Sequence, residues 1–138
     1  MNDAVLNIYT DGGSRGNPGP AAIGVVVKNS LGKTLAAFGK TIGSTTNNQA
    51  EYQALIAALN WLKNHPAVQQ VNFFLDSVLV VNQLNGLWKI KNVNLRRQLI
   101  TIRELEAAIP AKLFYQAIPR EQNLLADLQV NLALDKLL

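Results

Sequence analysis

Apolar residues recur along this chain with two different periods, and the order in which the periods alternate predicts an architecture. Residues 5–11 are apolar and β-prone, and they run into the turn formers of residues 12–20. Residues 21–28 carry Ile23 and the consecutive valines Val25, Val26 and Val27, a second strand. A polar hairpin loop over 29–33 leads to a third strand over 34–42, so the opening third reads as an antiparallel meander. The period then changes. Between 48 and 64, Ala50, Ala54, Leu55, Ala58, Leu59, Trp61 and Leu62 fall at helical spacing, which makes Trp61 a core residue. Thr46, Asn47 and Asn48 are candidate caps, and Asn64-His65-Pro66 ends the helix. A strand over 71–75 stops at Asp76, and a short helix over 77–84 closes at Asn85-Gly86. A further helix spans 95–108 before Pro110, followed by a strand over 112–118 and a helix over 121–137. No repeat or linker interrupts the order, which gives one domain over 1–138. Three strands followed by helix-strand-helix-helix-strand-helix predict an α/β fold, a mixed sheet with helices packed on it.

With 138 residues, 49% of them hydrophobic, the chain is long and apolar enough for one well-buried core. The absence of cysteine excludes disulfides, thiolate zinc sites and cysteine nucleophiles. The first six residues lack a basic flank followed by an apolar run, and no apolar stretch approaches the ~18 residues of a membrane span. A cytoplasmic protein with no membrane partner is therefore the expectation. The net charge of +4 suggests a polyanionic partner, with Arg15, Lys89, Lys91, Arg96, Arg97 and Arg120 as the basic flanks.

The nine acidic residues change the picture more than the net charge does. Asp11 and Asp76 each stand at the expected carboxyl end of an apolar strand, the edge from which ligands are bound in α/β sheets. Glu51 precedes Leu55, Ala58 and Leu62 at offsets of 4, 7 and 11, so it heads the core-facing stripe of its helix. Asp127 sits mid-helix between Leu124 and Val130 in a largely apolar segment. Carboxylates are seldom buried unless paired or bound to a metal. Each has an ordinary alternative when taken alone: Asp11 in a turn, Glu51 near a helix N-terminus, Asp76 as a cap. Four together, with no thiolate or histidine, select a hard oxygen-seeking cation, Mg²⁺ first and Mn²⁺ second. Two such ions, roughly 3.5–4 Å apart, suit in-line displacement at a phosphate. His65, the only histidine, precedes a proline at a polar helix end and reads as exposed.

The stretch Tyr9-Thr10-Asp11-Gly12-Gly13-Ser14-Arg15-Gly16-Asn17-Pro18-Gly19 resembles the opening signature of type 1 ribonucleases H. Thr46-Asn47-Asn48-Gln49-Ala50-Glu51, Asp76-Ser77 and Ala126-Asp127 resemble that family's remaining blocks, in order and at similar spacing. The resemblance spans essentially the whole chain. It implies an RNase H-like fold, a five-stranded mixed sheet flanked by helices. It also implies hydrolysis of the RNA strand of RNA–DNA hybrids to 3′-hydroxyl and 5′-phosphate ends. On it, Asp11, Glu51, Asp76 and Asp127 are the metal ligands. Gly12 and Gly13 let backbone amides approach the RNA strand, and Asn17, Asn47, Asn48 and Gln49 reach the minor groove, where 2′-hydroxyls distinguish RNA from DNA. The bland reading of those amides is capping and turn formation. Thr46 and Asn92 resemble members of a pocket for a DNA-strand phosphate. Trp88 resembles an aromatic that packs on DNA sugars, with a core tryptophan as its rival, and Lys89 and Lys91 are expected phosphate contacts.

Two departures stand out. Some family members insert a basic, tryptophan-rich helical protrusion after the third acid, whereas here only residues 85–94 separate two helices. The same members carry a loop histidine before the last acid, where this chain has Pro119-Arg120-Glu121-Gln122-Asn123. Arg120 is the candidate to meet the departing phosphate in its place, although it cannot titrate near neutral pH. A shorter subgroup of the family shares both features. The alternative from another class is a non-catalytic RNA–DNA hybrid-binding module, which predicts the loss of at least one of the four carboxylates. Nothing in the sequence requires more than a monomer.

Overall fold

Alternating burial shapes the strands. In β1 (Val5–Ser14) the side chains of Leu6, Ile8 and Thr10 are buried, and those of Val5, Asn7 and Tyr9 less so. The computed structural model describes residues 3–137. Met1, Asn2 and Leu138 lie outside it, and with them both ends of the expected 1–138 domain and the first two residues of the segment expected to carry no signal peptide. β2 (Gly19–Asn29) and β3 (Thr34–Thr45) pair antiparallel with their neighbours to complete the expected meander. β4 (Gln70–Leu75) lies parallel to β1, and β5 (Lys112–Ala117) parallel to β4. The resulting mixed sheet has five strands in the order β3-β2-β1-β4-β5.

Helix α1 (Asn47–Leu62) lays Ala54, Leu55, Ala58, Leu59 and Leu62 on one face of this sheet, against Ile8, Ile23, Val25 and Val27. Each large aliphatic side chain buried there contributes about 1.5–3 kcal/mol. Helix α2 (Val78–Leu84) and helix α3 (Val93–Ala108) extend the same core, the latter through Leu95 and Ile102. Helix α4 (Leu124–Asp135) covers the other face, with Val130, Ala133 and Leu134 on Ala22.

Three expectations are corrected. The first strand does not stop at Asp11. Gly12, Gly13 and Ser14 read as turn formers but pair with Ile23, Ala22 and Ala21, so β1 runs on to Ser14. The last helix begins at Leu124 rather than 121, because a single 3-10 turn over Arg120–Gln122 precedes it and Asn123 has the non-helical φ of −115° and ψ of 24°. That places Asp127 in the first turn of α4 and not mid-helix. Trp61 is only partly buried, and its ring stacks on exposed His65 with centroids 3.6 Å apart.

Helix α4 reaches the sheet through two glycines. A Cβ on Gly24 would stand 2.2 Å from the Ala126 carbonyl oxygen, and one on Gly39 would stand 2.3 Å from that of Gln129. Backbone cannot yield as a flexible side chain can, so a methyl group in either place lifts the helix that carries Asp127. Gly24→Ala is expected to destabilise the chain by about 2–3 kcal/mol in denaturant unfolding. Unchanged stability would show that α4 is not seated as described.

Candidate metal centre

The register of the parallel strands sets the first two acids side by side. β1 and β4 pair from Val5↔Gln70 to Tyr9↔Phe74, and the same offset carried two residues further aligns Asp11 with Asp76. At that point β4 has ended while β1 continues against β2 alone, so Asp11 emerges where the sheet opens. Glu51 arrives from α1, whose start is fixed by Thr46: its hydroxyl oxygen accepts from the Gln49 amide at 3.2 Å. Gly12 lets the helix come close, since a Cβ there would lie 2.2 Å from the Ala50 carbonyl carbon. The Gly12 amide then donates to Glu51 Oε1 at 2.5 Å. The close approach that Gly12 makes within the chain is therefore to α1, and its amide is already engaged.

Carboxylate oxygens of Asp11, Glu51 and Asp76 all lie within 4.8 Å of one another. Asp127 lines the same cavity, as do Gly13, Asn47, Asn48 and Arg120, but it stands outside that triad. Asn131 Nδ2 donates to Asp127 Oδ2 at 3.4 Å. Among the described residues no lysine or arginine forms an ion pair with any of these four acids; the ion pairs are Arg15–Asp135 at 2.6 Å and Arg103–Glu106 at 3.0 Å. Only hydrogen bonds, and no ion pair, therefore oppose the effect of burial on Asp11 and Glu51. It pushes the Asp11 carboxyl from 3.8 up to about 7, with the charges of Asp76 and Asp127 adding to the rise and a hydrogen bond to Glu51 opposing it. Burial likewise holds Glu51 well above the usual carboxylate range, and repulsion from Asp11 adds to this. Three converging carboxylate oxygens without a cationic side chain are the donor set of a hard divalent cation, and the residues present fit one.

Chain comparisons agree with this geometry. Residues 9–133 match the family described as reverse transcriptase-like. The chain is 43% identical over 130 residues to ribonuclease HI of Halobacterium salinarum, which covers 94% of this chain and 64% of that protein. The crystal structure of RNase H1 from the same archaeon matches with a TM-score of 0.90 and 42% identity, over 96% of this chain and 98% of that one. The chain belongs to the type 1 ribonuclease H family. LC11-RNase H1 in complex with an RNA/DNA hybrid matches with a TM-score of 0.91 and 43% identity, over 95% of this chain and 97% of that one. A bifunctional protein of Mycobacterium tuberculosis is 40% identical over 129 residues, which are 93% of this chain and 35% of that protein. The chain thus spans 64% and 35% of the length of these two curated relatives.

The remaining positions that resemble the ribonuclease H blocks divide into two groups. Asn47 lines the cavity, and Asn17, which does not, holds Asn47 in place. Asn17 Oδ1 accepts from the Asn47 amide at 3.0 Å, and Asn47 Oδ1 from the Ser14 amide at 2.9 Å. Each uses its carbonyl oxygen, so the amide hydrogens are the part left for a substrate. Gln49 Oε1 accepts from the Thr45 hydroxyl at 2.7 Å. Thr46 and Asn92 both cap helices, Asn92 through the Leu95 amide at 3.1 Å. Trp88 is 50% exposed beside Leu87 at 70%, which removes the core alternative. Neither Trp88 nor Asn92 lines the carboxylate cavity. Sequence reasoning missed Ser77 and Asn131, which do line it, and Asn123, which is 1% exposed beside Asp76. Ser77 follows an acid already singled out and so could have been found; the other two carry no signal apart from their spacing to Asp127.

The elevated pKa fixes a pH dependence. Asp11 titrates at about 7 in the fold against 3.8 ordinarily, so the stability it allows is complete below 3.8 and lost as pH rises through about 7. In chelator, Asp11→Asn is expected to stabilise the chain at pH 8 by on the order of 2 kcal/mol, and this advantage should shrink toward pH 4. Thermal melts of both proteins across that range measure it. A pH-independent difference would contradict the burial of an ionised Asp11.

Proposed function

We propose that the chain is an endonuclease that hydrolyses the RNA strand of RNA–DNA hybrids with two divalent cations, Mg²⁺ by preference and Mn²⁺ as a substitute. The observation that carries this reading is the triad of carboxylates without a cationic partner, set in a cavity of about 430 Å³ whose wall also presents Asn47, Asn48 and Arg120. Asp11, Glu51, Asp76 and Asp127 would hold the ions. When bound, such ions polarise the scissile phosphate and lower the pKa of an attacking water. The protein's own part is orientation. Gly12 donates to Glu51 and keeps one of its oxygens fixed, while the parallel register of β1 and β4 brings Asp11 and Asp76 side by side. Asn17 and Asn47, anchored through their carbonyl oxygens, would offer amide hydrogens to 2′-hydroxyls, with Gly13, Asn48 and Gln49 completing the RNA side.

Arg120, which has no carboxylate partner among the described residues, would meet the departing phosphate from the 3-10 turn. Trp88, Lys89, Lys91 and the capping residues Thr46 and Asn92 would take the DNA strand; the exposure of Trp88 supports this. The products carry 3′-hydroxyl and 5′-phosphate ends. The reading extends to residues 1–138 as one domain acting as a cytoplasmic monomer. No helix among the described residues is long and apolar enough to cross a membrane.

Incubation with matched RNA–DNA, RNA–RNA and DNA–DNA duplexes in Mg²⁺ or Mn²⁺ tests the assignment. Only the RNA strand of the hybrid should be cut. Asp11→Asn should abolish cutting, a loss of about 10³-fold or more, while hybrid binding in chelator persists, because this carboxylate serves the cation and not substrate recognition. Near-normal cleavage by Asp11→Asn would overturn the site, and hybrid binding without cleavage by the unaltered chain would point to the non-catalytic module.

A further inference from the structure

Three of the four α-helices are capped by the side chain of their N-cap residue. Thr46 accepts from the Gln49 amide, Ser77 from Val80 and Asn92 from Leu95. Asn123 occupies the same position on α4, and asparagine is among the best capping residues, yet it makes no side-chain cap bond. Its amide is spent elsewhere. Asn123 Nδ2 donates to the Thr10 carbonyl oxygen at 2.9 Å and to Asp76 Oδ2 at 3.2 Å. Both partners are acceptors only, so these contacts fix which end of the amide faces them: an inverted side chain would set oxygen against oxygen twice. Asn123 Oδ1 is left buried with no partner. The side chain, 1% exposed, thus forgoes its ordinary cap and tolerates an unsatisfied carbonyl in order to tie three segments together. The segments are β1 one residue before Asp11, the carboxylate that follows β4, and the start of the helix that carries Asp127.

We propose that Asn123 is a positioning residue, whose amide holds the Asp76 carboxylate against β1 and so presets the donor spacing for a divalent cation. The inference rests on the reading of the carboxylates as a cation site. Hydrogen bonds to a ligating carboxylate restrict its rotation, and loss of such a partner typically weakens metal binding about ten- to a hundredfold. Asn123 touches neither cation nor substrate in this account; it acts through Asp76. One residue thereby couples the third and fourth acids, which lie far apart in sequence.

Asn123→Ser separates this role from a merely structural one, because serine caps helices well but is too short to span Thr10 and Asp76. Calorimetric titration of Mn²⁺ into the full chain, without nucleic acid, is the readout. The variant is expected to keep a thermal midpoint close to the wild type and to bind Mn²⁺ about ten- to a hundredfold more weakly. Raising Mn²⁺ should restore most of its cleavage rate, with KM for the hybrid unchanged. Mn²⁺ binding as tight as that of the wild type would overturn the role of Asn123 and leave the cation site standing. Failure of the wild type to bind Mn²⁺ would overturn both.

Should the variant not fold, the wild-type chain still decides the matter by nuclear magnetic resonance. The Asn123 side-chain amide protons should exchange slowly and shift when Mg²⁺ is added. Exchange as fast as that of exposed Asn60, with no response to Mg²⁺, would contradict the proposal.

Discussion

Carboxylate oxygens gathered within 4.8 Å, two of the three side chains buried, repel one another, and among the described residues no basic side chain forms an ion pair with them. Everything else about this end of the molecule follows from that constraint. Burial of Asp11 and Glu51 leaves their charges poorly solvated, so the cluster either retains protons, in line with the rise of Asp11 to about 7, or takes up a cation. Folding tolerates such a site only because the rest of the chain leaves it little freedom to relax.

That rigidity has identifiable sources. A parallel pair of strands, hydrogen-bonded as far as Tyr9 and Phe74, delivers Asp11 and Asp76 side by side just beyond it. The absent Cβ of Gly12 brings α1 close enough for its Glu51 to reach the same spot. Gly24 and Gly39 do the equivalent for α4 and Asp127 on the other face. The apolar core beneath supplies the free energy, and at the open end of the sheet part of it is given up for geometry. In this view the helices are placed by burial and the acids by the few atoms that glycine lacks.

Much of this was legible in the sequence, and the parts that were not share a cause. Strand and helix periods located all five strands and four helices, because each buries one regular face. Glu51 was legible because an acid on an apolar helix face violates that regularity, and Asp11 and Asp76 because each stands where an apolar strand was expected to end. The end of β1 was not, since Gly12-Gly13-Ser14 has the composition of a turn and is held extended only by its partners on β2. Asp127 was singled out for a mid-helix position that it does not have: Glu121 and Gln122 favour helix, but the helix starts at Leu124, three residues later than expected, and Asp127 lies in its first turn, where an acid is unremarkable. Trp61 lies on the expected face but near the helix end, where the core thins and His65 covers it instead. Asn123 carried no signal beyond its spacing to Asp127, because the helix expected from 121 placed it in a first turn, where a polar residue is ordinary until its hydrogen bonds are seen.

The central claim, that the carboxylates form a cation site held together against its own repulsion, is tested most directly by the unfolding free energy as a function of Mg²⁺ at pH 8. Binding to the folded chain alone should raise stability logarithmically with concentration, by about 2.7 kcal/mol at a hundredfold excess over Kd, and Asp76→Asn should blunt the gain. Sodium chloride of equal ionic strength should not reproduce it. If Mg²⁺ stabilises the chain no more than that salt does, the carboxylates do not form a cation site and the account fails.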